Sequence, residues 1–273
     1  MSDEPTPSGR VLIIAGSDSG GGAGIQADIK AITMLGGYAM TAITAITAQD
    51  TTGVHGVWPV ALEAVTAQMT ACLTDIGADA IKTGMLGSSP LVEQVAETLD
   101  MLARDVPRFV DPVMVATSGD TLVDEKAVSA IASLMMSGAA LVTPNAPEAE
   151  VLTGKAVDGV NGQRRAAEAL LAQRAKGALV KGGHIPGRVV TDVLQTEQGE
   201  WLFESERIET SSTHGTGCTL ASACAALTAQ GQPMPDAVEA ARLYLHEAIK
   251  HAPGLGRGHG PVAHNWKLLD QED

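Results

Sequence analysis

Short apolar runs rich in β-branched residues alternate with longer helical patterns along almost the whole chain, and this rhythm restricts the fold more than any other feature. Val11–Ala15 reads as a strand, followed by a glycine-rich turn and a helical stretch near Ile25–Leu35. Ala39–Thr47 is strand-like and Glu63–Asp75 helical. Ala80–Lys82, Phe109–Val110 and Ala140–Val142 have the brevity and apolarity of buried strands. Leu91–Leu102, Glu125–Met135 and Arg164–Ala175 carry helical periodicity between them. A βαβα order of this kind predicts a largely parallel sheet covered by helices on both faces, an α/β three-layer sandwich. After Lys176 the pattern changes. Ala178–Val180, Val189–Leu194 and Trp201–Glu204 are consecutive strands separated by Gly187 and Gly199, which predicts an antiparallel extension at one edge. Helices over Gly217–Ala229 and Asp236–His251 close the chain.

No linker, repeat or low-complexity tract interrupts these 273 residues, so one domain over 11–273 is expected, preceded by a disordered, proline-bearing lead over 1–10. Aromatic residues make up only 3%, so the core must be built from Ala, Val, Leu, Ile and Met, which suits helices packed closely on a sheet. The same scarcity leaves few platforms for stacking bases, and a net charge of −14 repels a polyanion, so nucleic acid is excluded as a partner. A small anionic substrate is compatible with that charge, because backbone amides and one or two cations set a local field. Cys72, Cys218 and Cys224 cannot all pair and match no zinc spacing. Reduced thiols in a cytoplasmic protein are the simplest reading. No apolar run approaches membrane-spanning length.

The chemistry concentrates at strand ends. Ser212-Thr213-His214-Gly215-Thr216-Gly217-Cys218-Thr219 leads into a helix of small residues. Glycines at 215 and 217 let successive N–H groups converge at a helix start, a preformed site for the charge on a transferring phosphoryl group. Taken alone, GTGC fits a tight turn equally well. Cys218 heads that helix, where a thiol is expected to acidify towards neutrality and serve as a general base. His214 reads as a surface or hydrogen-bonding residue.

Ala15-Gly16-Ser17-Asp18-Ser19-Gly20-Gly21-Gly22-Ala23-Gly24 follows the first strand, but no acidic ribose ligand ends a second strand and no GK[ST] is present. Both standard nucleotide fingerprints therefore fit poorly. A loop that brings a ligand close to the backbone, with Asp28 pointing at it, fits better, and a plain tight turn stays open. Thr143-Pro144-Asn145-Ala146-Pro147-Glu148 sets an amide and a carboxylate three residues apart. By itself NxxE reads as a helix start with a capping acid; beside Asp111, at another strand end, it suits magnesium and phosphate. Lys181-Gly182-Gly183-His184 follows a further strand and offers a cation to nucleotide phosphates.

In that order the segments AGSDSGGGAGIQAD, ITAITAQDTTGV, KTGMLG, VDPVMVATSGD, TPNAPEAEVL, VKGGH, THGTGCTLASA and GHGP resemble the ribokinase-like superfamily, in its hydroxymethylpyrimidine and phosphomethylpyrimidine kinase branch. The resemblance covers nearly the whole chain. It implies an eight- or nine-stranded sandwich, a homodimer, and use of ATP with Mg2+ to phosphorylate 4-amino-5-hydroxymethyl-2-methylpyrimidine and then its monophosphate for thiamine biosynthesis. Matched position by position, Gly215, Thr216, Gly217 and Cys218 become the anion hole and base. Asp28, Thr47, Gln49, Met85, Gly16 and Ala23 fall on the pyrimidine. Asn145, Lys181 and Thr213 fall on the nucleotide, and Glu148 and Asp111 on the metal. The Gln49 amide sets donor and acceptor side by side, as an aminopyrimidine edge requires. Thr117 stands where the resemblance implies a lysine. A pyridoxal or pyridoxine kinase of the same architecture is the competing reading. A non-catalytic pyrimidine sensor would not need the turn and the carboxylates together, and a Cys218–His214 hydrolase lacks an orienting acid.

Overall fold

The computed structural model describes residues 9–115, 119 and 123–269; Thr117 lies outside them. Strand β1 (Arg10–Asp18) shows why the alternating runs become a two-faced sheet. Val11 through Ala15 are all buried, with Leu12 and Ile14 in one apolar cluster and Val11, Ile13 and Ala15 in another. Period-two alternation with both faces apolar is the mark of a strand covered on both sides.

Eight further strands complete one sheet: β2 (Tyr38–Asp50), β3 (Gly53–Pro59), β4 (Ala80–Thr83), β5 (Arg108–Val110), β6 (Leu141–Val142), β7 (Gly177–Val180), β8 (Val189–Thr196) and β9 (Gly199–Glu206). Their order is β3-β2-β1-β4-β5-β6-β7-β8-β9. The six strands from β2 to β7 in that order run parallel. The chain leaves β1 towards β2 on one side and returns to β4 on the other, so a switch point opens beyond the carboxyl ends of β1 and β4. Parallel α/β sheets bind ligands at such a crevice.

Helix α1 (Gly24–Met34) lies on one face with α7 (Thr216–Ala229) and α8 (Met234–Lys250), burying Ile32, Leu220, Leu227 and Val238. The other face holds α2 (Leu62–Ala71), α3 (Ser89–Leu102), α4 (Glu125–Ala130), α5 (Ala146–Thr153) and α6 (Val160–Ala172), with Met69, Val95, Leu99 and Leu170 inward. Every residue of α7 from Thr219 to Leu227 is buried. A helix hemmed in all round must carry small side chains, which is why Ala, Ser and Cys dominate it and why so few rings are needed.

The expected antiparallel edge is present as β7-β8-β9. The opposite edge is antiparallel too, through β3 on β2. Gly53, Gly56 and Pro59 interrupt any alternation there and most of the strand is exposed, so no apolar pattern marked it. Helix α6 begins at Val160 rather than Arg164. Its first turn is anchored by a polar residue, Gln163, whose Nε2 donates to Val180 O at 2.9 Å and Thr191 O at 2.7 Å. Apolar periodicity does not register such an anchor. Helices α2 and α4 each continue into wider, π-type turns, over Cys72–Ile76 and Ile131–Met135. Among the described residues no helix is long and apolar enough to cross a membrane.

Candidate active site

The first loop is organised by Asp18, at the end of β1. One carboxylate oxygen accepts from Gly20 N at 2.8 Å; the other accepts from Gly22 N at 3.0 Å, Ala23 N at 2.7 Å and His214 Nε2 at 2.9 Å. Burial raises this carboxyl, but the hydrogen bonds from His214, Ala23 and Gly20 outweigh it and hold Asp18 below the usual range. Gly16 breaks the β1–β2 register, with Ala15 opposite Ile43 and Ser17 opposite Ile46. A Cβ on Gly16 would lie 2.6 Å from Met85 Cε, so the bared backbone and the thioether share one surface. Thr47 donates to Ser17 O at 2.9 Å. Gln49 Nε2 lies 3.4 Å from His214 Nε2 and Gln49 Oε1 lies 3.4 Å from Thr47 Oγ1. Gly16, Ala23, Thr47, Gln49 and Met85 are thus drawn around one loop.

The turn before α7 meets this loop directly. Gly215 has φ +80°, and a side chain on it would drive into the Gly22 carbonyl. Thr216 Oγ1 and Thr219 Oγ1 donate to Thr213 O at 3.1 Å and Gly215 O at 2.8 Å, fixing the helix start. Thr213 Oγ1 lies 3.3 Å from His259 Nδ1. On its other flank the turn faces the carboxyl ends of β5 and β7. A Cβ on Gly217 would lie 3.2 Å from Lys181 Nζ and 3.6 Å from Asp111 Oδ2. Glycine leaves that convergence uncrowded, since a side chain there would press on the Lys181 ammonium.

Asp28 does not face a ligand, which corrects the expectation for the first loop. It is wholly buried in α1. Lys82 Nζ donates to its two oxygens at 2.8 and 2.9 Å, and Ser222 Oγ donates to Oδ1 at 2.7 Å. Ser222 lies one turn after Cys218 in α7, so the Asp28–Lys82 pair sits beneath the cysteine. Lys82 belongs to this arrangement too, although the sequence motifs do not include it as a site residue. Its signal was a lysine inside an apolar strand, a position that demands a counter-charge.

The thiol of Cys218 is likewise not acidified. Burial pushes it up to about 12; Lys82 pulls it down, but Asp28 and Asp111 push it up again. Partial burial and two nearby carboxylates outweigh the helix start and favour the neutral thiol. Cys224 is pushed up to about 12 by burial as well.

Asp111 and Lys181 form an open pair. Lys181 Nζ donates to Asp111 Oδ1 at 3.2 Å and Thr143 Oγ1 donates to the same oxygen at 3.2 Å. Asp111 Oδ2 is buried and, among the described residues, has no hydrogen-bond partner. Asn145 and Glu148 make a capping box at the head of α5: Glu148 N donates to Asn145 Oδ1 at 2.9 Å, and Asn145 N donates to Glu148 Oε2 at 2.8 Å. Glu148 is buried, and its carboxyl is pushed up to about 7 by burial and by Asp111, against the pull of Lys181. Among the described residues no three His, Cys, Asp or Glu side chains form a metal cage. Mg2+ needs none, since it is commonly held by one or two carboxylates together with substrate phosphates. The orphaned Asp111 oxygen and the uncomfortably buried Glu148 fit that donor set.

A mostly parallel sheet with a glycine turn near its switch point, flanked by an open Lys–Asp pair, is the architecture of the ribokinase-like small-molecule kinases. The sequence matches the family described as phosphomethylpyrimidine kinase over residues 18–263, and the chain belongs to that family. It is 47% identical over 258 residues to a hydroxymethylpyrimidine/phosphomethylpyrimidine kinase of Streptomyces coelicolor, covering 94% of this chain and 95% of that one. The crystal structure of phosphomethylpyrimidine kinase from Clostridium difficile superposes with a TM-score of 0.79 at 36% identity, over 88% of this chain and 99% of that one. The ADP complex of Bacillus subtilis pyridoxal kinase gives a TM-score of 0.89 at 34% identity, over 96% and 99%.

Proposed function

We propose that this chain phosphorylates 4-amino-5-hydroxymethyl-2-methylpyrimidine with ATP, first to the monophosphate and then to the diphosphate, for thiamine biosynthesis. The observation that carries the reading is the meeting at Gly217 of the anion-binding turn with Lys181 and Asp111. Gly215, Thr216 and Gly217 would present N–H groups to the transferring phosphoryl group, where developing charge is stabilised without reorganisation. Gln49, Thr47, Met85, Gly16 and Ala23 would hold the pyrimidine. Lys181, Asn145 and Thr213 would lie along the nucleotide. Asp111 and Glu148 would hold Mg2+, which, when bound, neutralises phosphate charge. Residues 11–273 act as one kinase domain, in the cytoplasm and as a homodimer.

Cys218 is assigned as acceptor of the hydroxymethyl proton. Its resting form is a thiol, so before it can take that proton it must pass its own to solvent water, and Lys82 is the fixed cation that favours that loss. The second transfer differs. A phosphate nucleophile needs no base, and a neutral thiol does not repel it as a carboxylate would. Cys218→Ala therefore lowers the first step by about 10²–10⁴-fold and the second far less. Equal losses in the two steps would overturn the assignment.

The function itself is tested by counting ADP released by purified protein with magnesium and ATP. About two ADP per hydroxymethylpyrimidine are expected. Turnover with pyridoxal and none with the pyrimidine would replace this reading by the pyridoxal kinase that the B. subtilis structure represents.

A further inference from the structure

We propose that His214 fixes the hydrogen-bond polarity of Gln49, and through it selects an amino rather than an oxo group on the pyrimidine; this rests on the pyrimidine reading above. The polarity is set from Asp18. Its carboxylate accepts three backbone N–H bonds, from Gly20, Gly22 and Ala23, and has no proton of its own to give. His214 Nε2, 2.9 Å from Asp18 Oδ2, therefore carries the proton between them. At the other side of the amide, Thr47 has a single hydroxyl proton and two acceptors within reach, Ser17 O at 2.9 Å and Gln49 Oε1 at 3.4 Å, and the nearer one, Ser17 O, takes it. Its oxygen presents only lone pairs to Gln49.

Consider the amide nitrogen on the His214 side and the oxygen on the Thr47 side, each 3.4 Å from its neighbour. An N–H then faces an N–H, and a lone pair faces a lone pair. Half a turn about the Cγ–Cδ bond removes both conflicts together. Oε1 shares the Nε2–H of His214, and the NH2 group donates to Thr47 Oγ1. The backbone need not move, because Ser19 pins it: Ser19 Oγ donates to Gln49 O at 2.7 Å and accepts from Gln49 N at 2.8 Å. His214 and Thr47 are buried, at 6% and 5% exposure, so water does not substitute for either contact.

Each end of the amide keeps one free function: a lone pair on the His214 side and an N–H on the Thr47 side. The ligand edge that fits has a donor towards His214 and an acceptor towards Thr47. An exocyclic amine beside a ring nitrogen supplies that order. A 4-oxo analogue, with a carbonyl beside a ring N–H, supplies the reverse and leaves both ends mismatched, a loss that hydrogen-bonding sites punish severely.

The experiment measures kcat/KM of the full chain for the aminopyrimidine alcohol and for its 4-oxo analogue. In the wild type the amino compound is strongly preferred. His214→Phe keeps a ring but no donor, so Gln49 is released to turn either way. The preference then falls at least tenfold, mainly through KM. His214→Gln, which restores a donor to both Asp18 and Gln49, keeps most of the preference. A His214→Phe variant that loses activity on both compounds equally would reduce His214 to a structural residue and overturn the inference. Should that variant fail to fold, Thr47→Val decides, because it removes the partner at the other end; an unchanged preference there overturns the inference as well. Wild-type protein inactive on both compounds would overturn the pyrimidine reading itself, a result distinct from an unaltered ratio.

Discussion

Two lysine–aspartate pairs flank Cys218, and they differ in how completely they are satisfied. Lys82 and Asp28 are wholly buried, meet through both carboxylate oxygens, and receive a further bond from Ser222. Lys181 and Asp111 meet through one oxygen at 3.2 Å, leave Asp111 Oδ2 without a partner among the described residues, and crowd a second carboxylate, Glu148, against the same cation. The first pair is closed and balanced. The second is open and carries excess negative charge. A closed buried pair rigidifies a core, whereas a half-satisfied one in a binding crevice is completed by a ligand. Residue type alone does not separate structural from functional charge; satisfaction does.

The same substitution, aspartate to asparagine, is expected to act oppositely in the two pairs. Asp28→Asn leaves the Lys82 ammonium buried without a counter-charge, and about 3–5 kcal/mol of stability is expected to go. Urea unfolding reads this, with the midpoint falling at unchanged m-value. Replacing both members, Lys82→Met with Asp28→Leu, recovers most of the loss, because the expense lies in the uncompensated charge rather than in the missing attraction. A cost below about 1 kcal/mol for Asp28→Asn would mean that the pair is not structural.

Asp111→Asn is expected to behave oppositely. The amide oxygen still accepts from Lys181 and Thr143, and one negative charge leaves a crowded site, so stability changes by about 1 kcal/mol or less. Turnover, in contrast, falls about 10²–10³-fold, the usual effect of removing one group that stabilises transition-state charge. Steady-state kinetics beside urea unfolding gives both numbers from one preparation. A variant that loses stability and keeps turnover would invert the assignment of the two pairs.

How far these pairs were legible in the sequence follows from chain separation. The capping box of Asn145 and Glu148 spans three residues and was readable as NxxE, because its two hydrogen bonds are local. The turn Gly215–Cys218 was readable for the same reason: two glycines before a small-residue helix prescribe the backbone whatever surrounds it. Lys82 and Asp28 are 54 residues apart, and Asp18 and His214 are 196 apart. A lone lysine in an apolar strand announces that a counter-charge exists without saying which. Asp28 consequently reads as a ligand contact, and Cys218 as an acidified thiol, because nothing local reveals the two carboxylates that the fold brings near it. At the level of fold, β1 was evident from two-sided apolarity, whereas β3 was not, since an exposed edge strand holding Gly53, Gly56 and Pro59 is shaped by its pairing to β2 and not by burial.

Cys218 senses both pairs at once, and its reactivity is the smallest and sharpest measure of the difference between them. Burial and the carboxylates of Asp28 and Asp111 raise the thiol from an ordinary value near 9.0 to about 12, against the pull of Lys82. A thiol raised in the fold is held in its neutral form. It favours folding fully below pH 9, and that contribution erodes as pH rises towards 12. Two consequences are measurable by alkylating the native protein with iodoacetamide and following Cys218 by mass spectrometry. At pH 7.5 the native rate should be slower than that of the same cysteine in urea by about tenfold or more, since the thiolate is the reacting form. The rate should also climb through pH 9 without levelling, for as long as the fold persists. Asp111→Asn removes one of the two charges that raise the thiol, so it should accelerate alkylation while leaving the closed pair intact. A plateau below pH 8 in the wild type would show that the helix start and Lys82 prevail over burial, and Cys218 would then rest as a thiolate ready to take a proton without help from bound ligand.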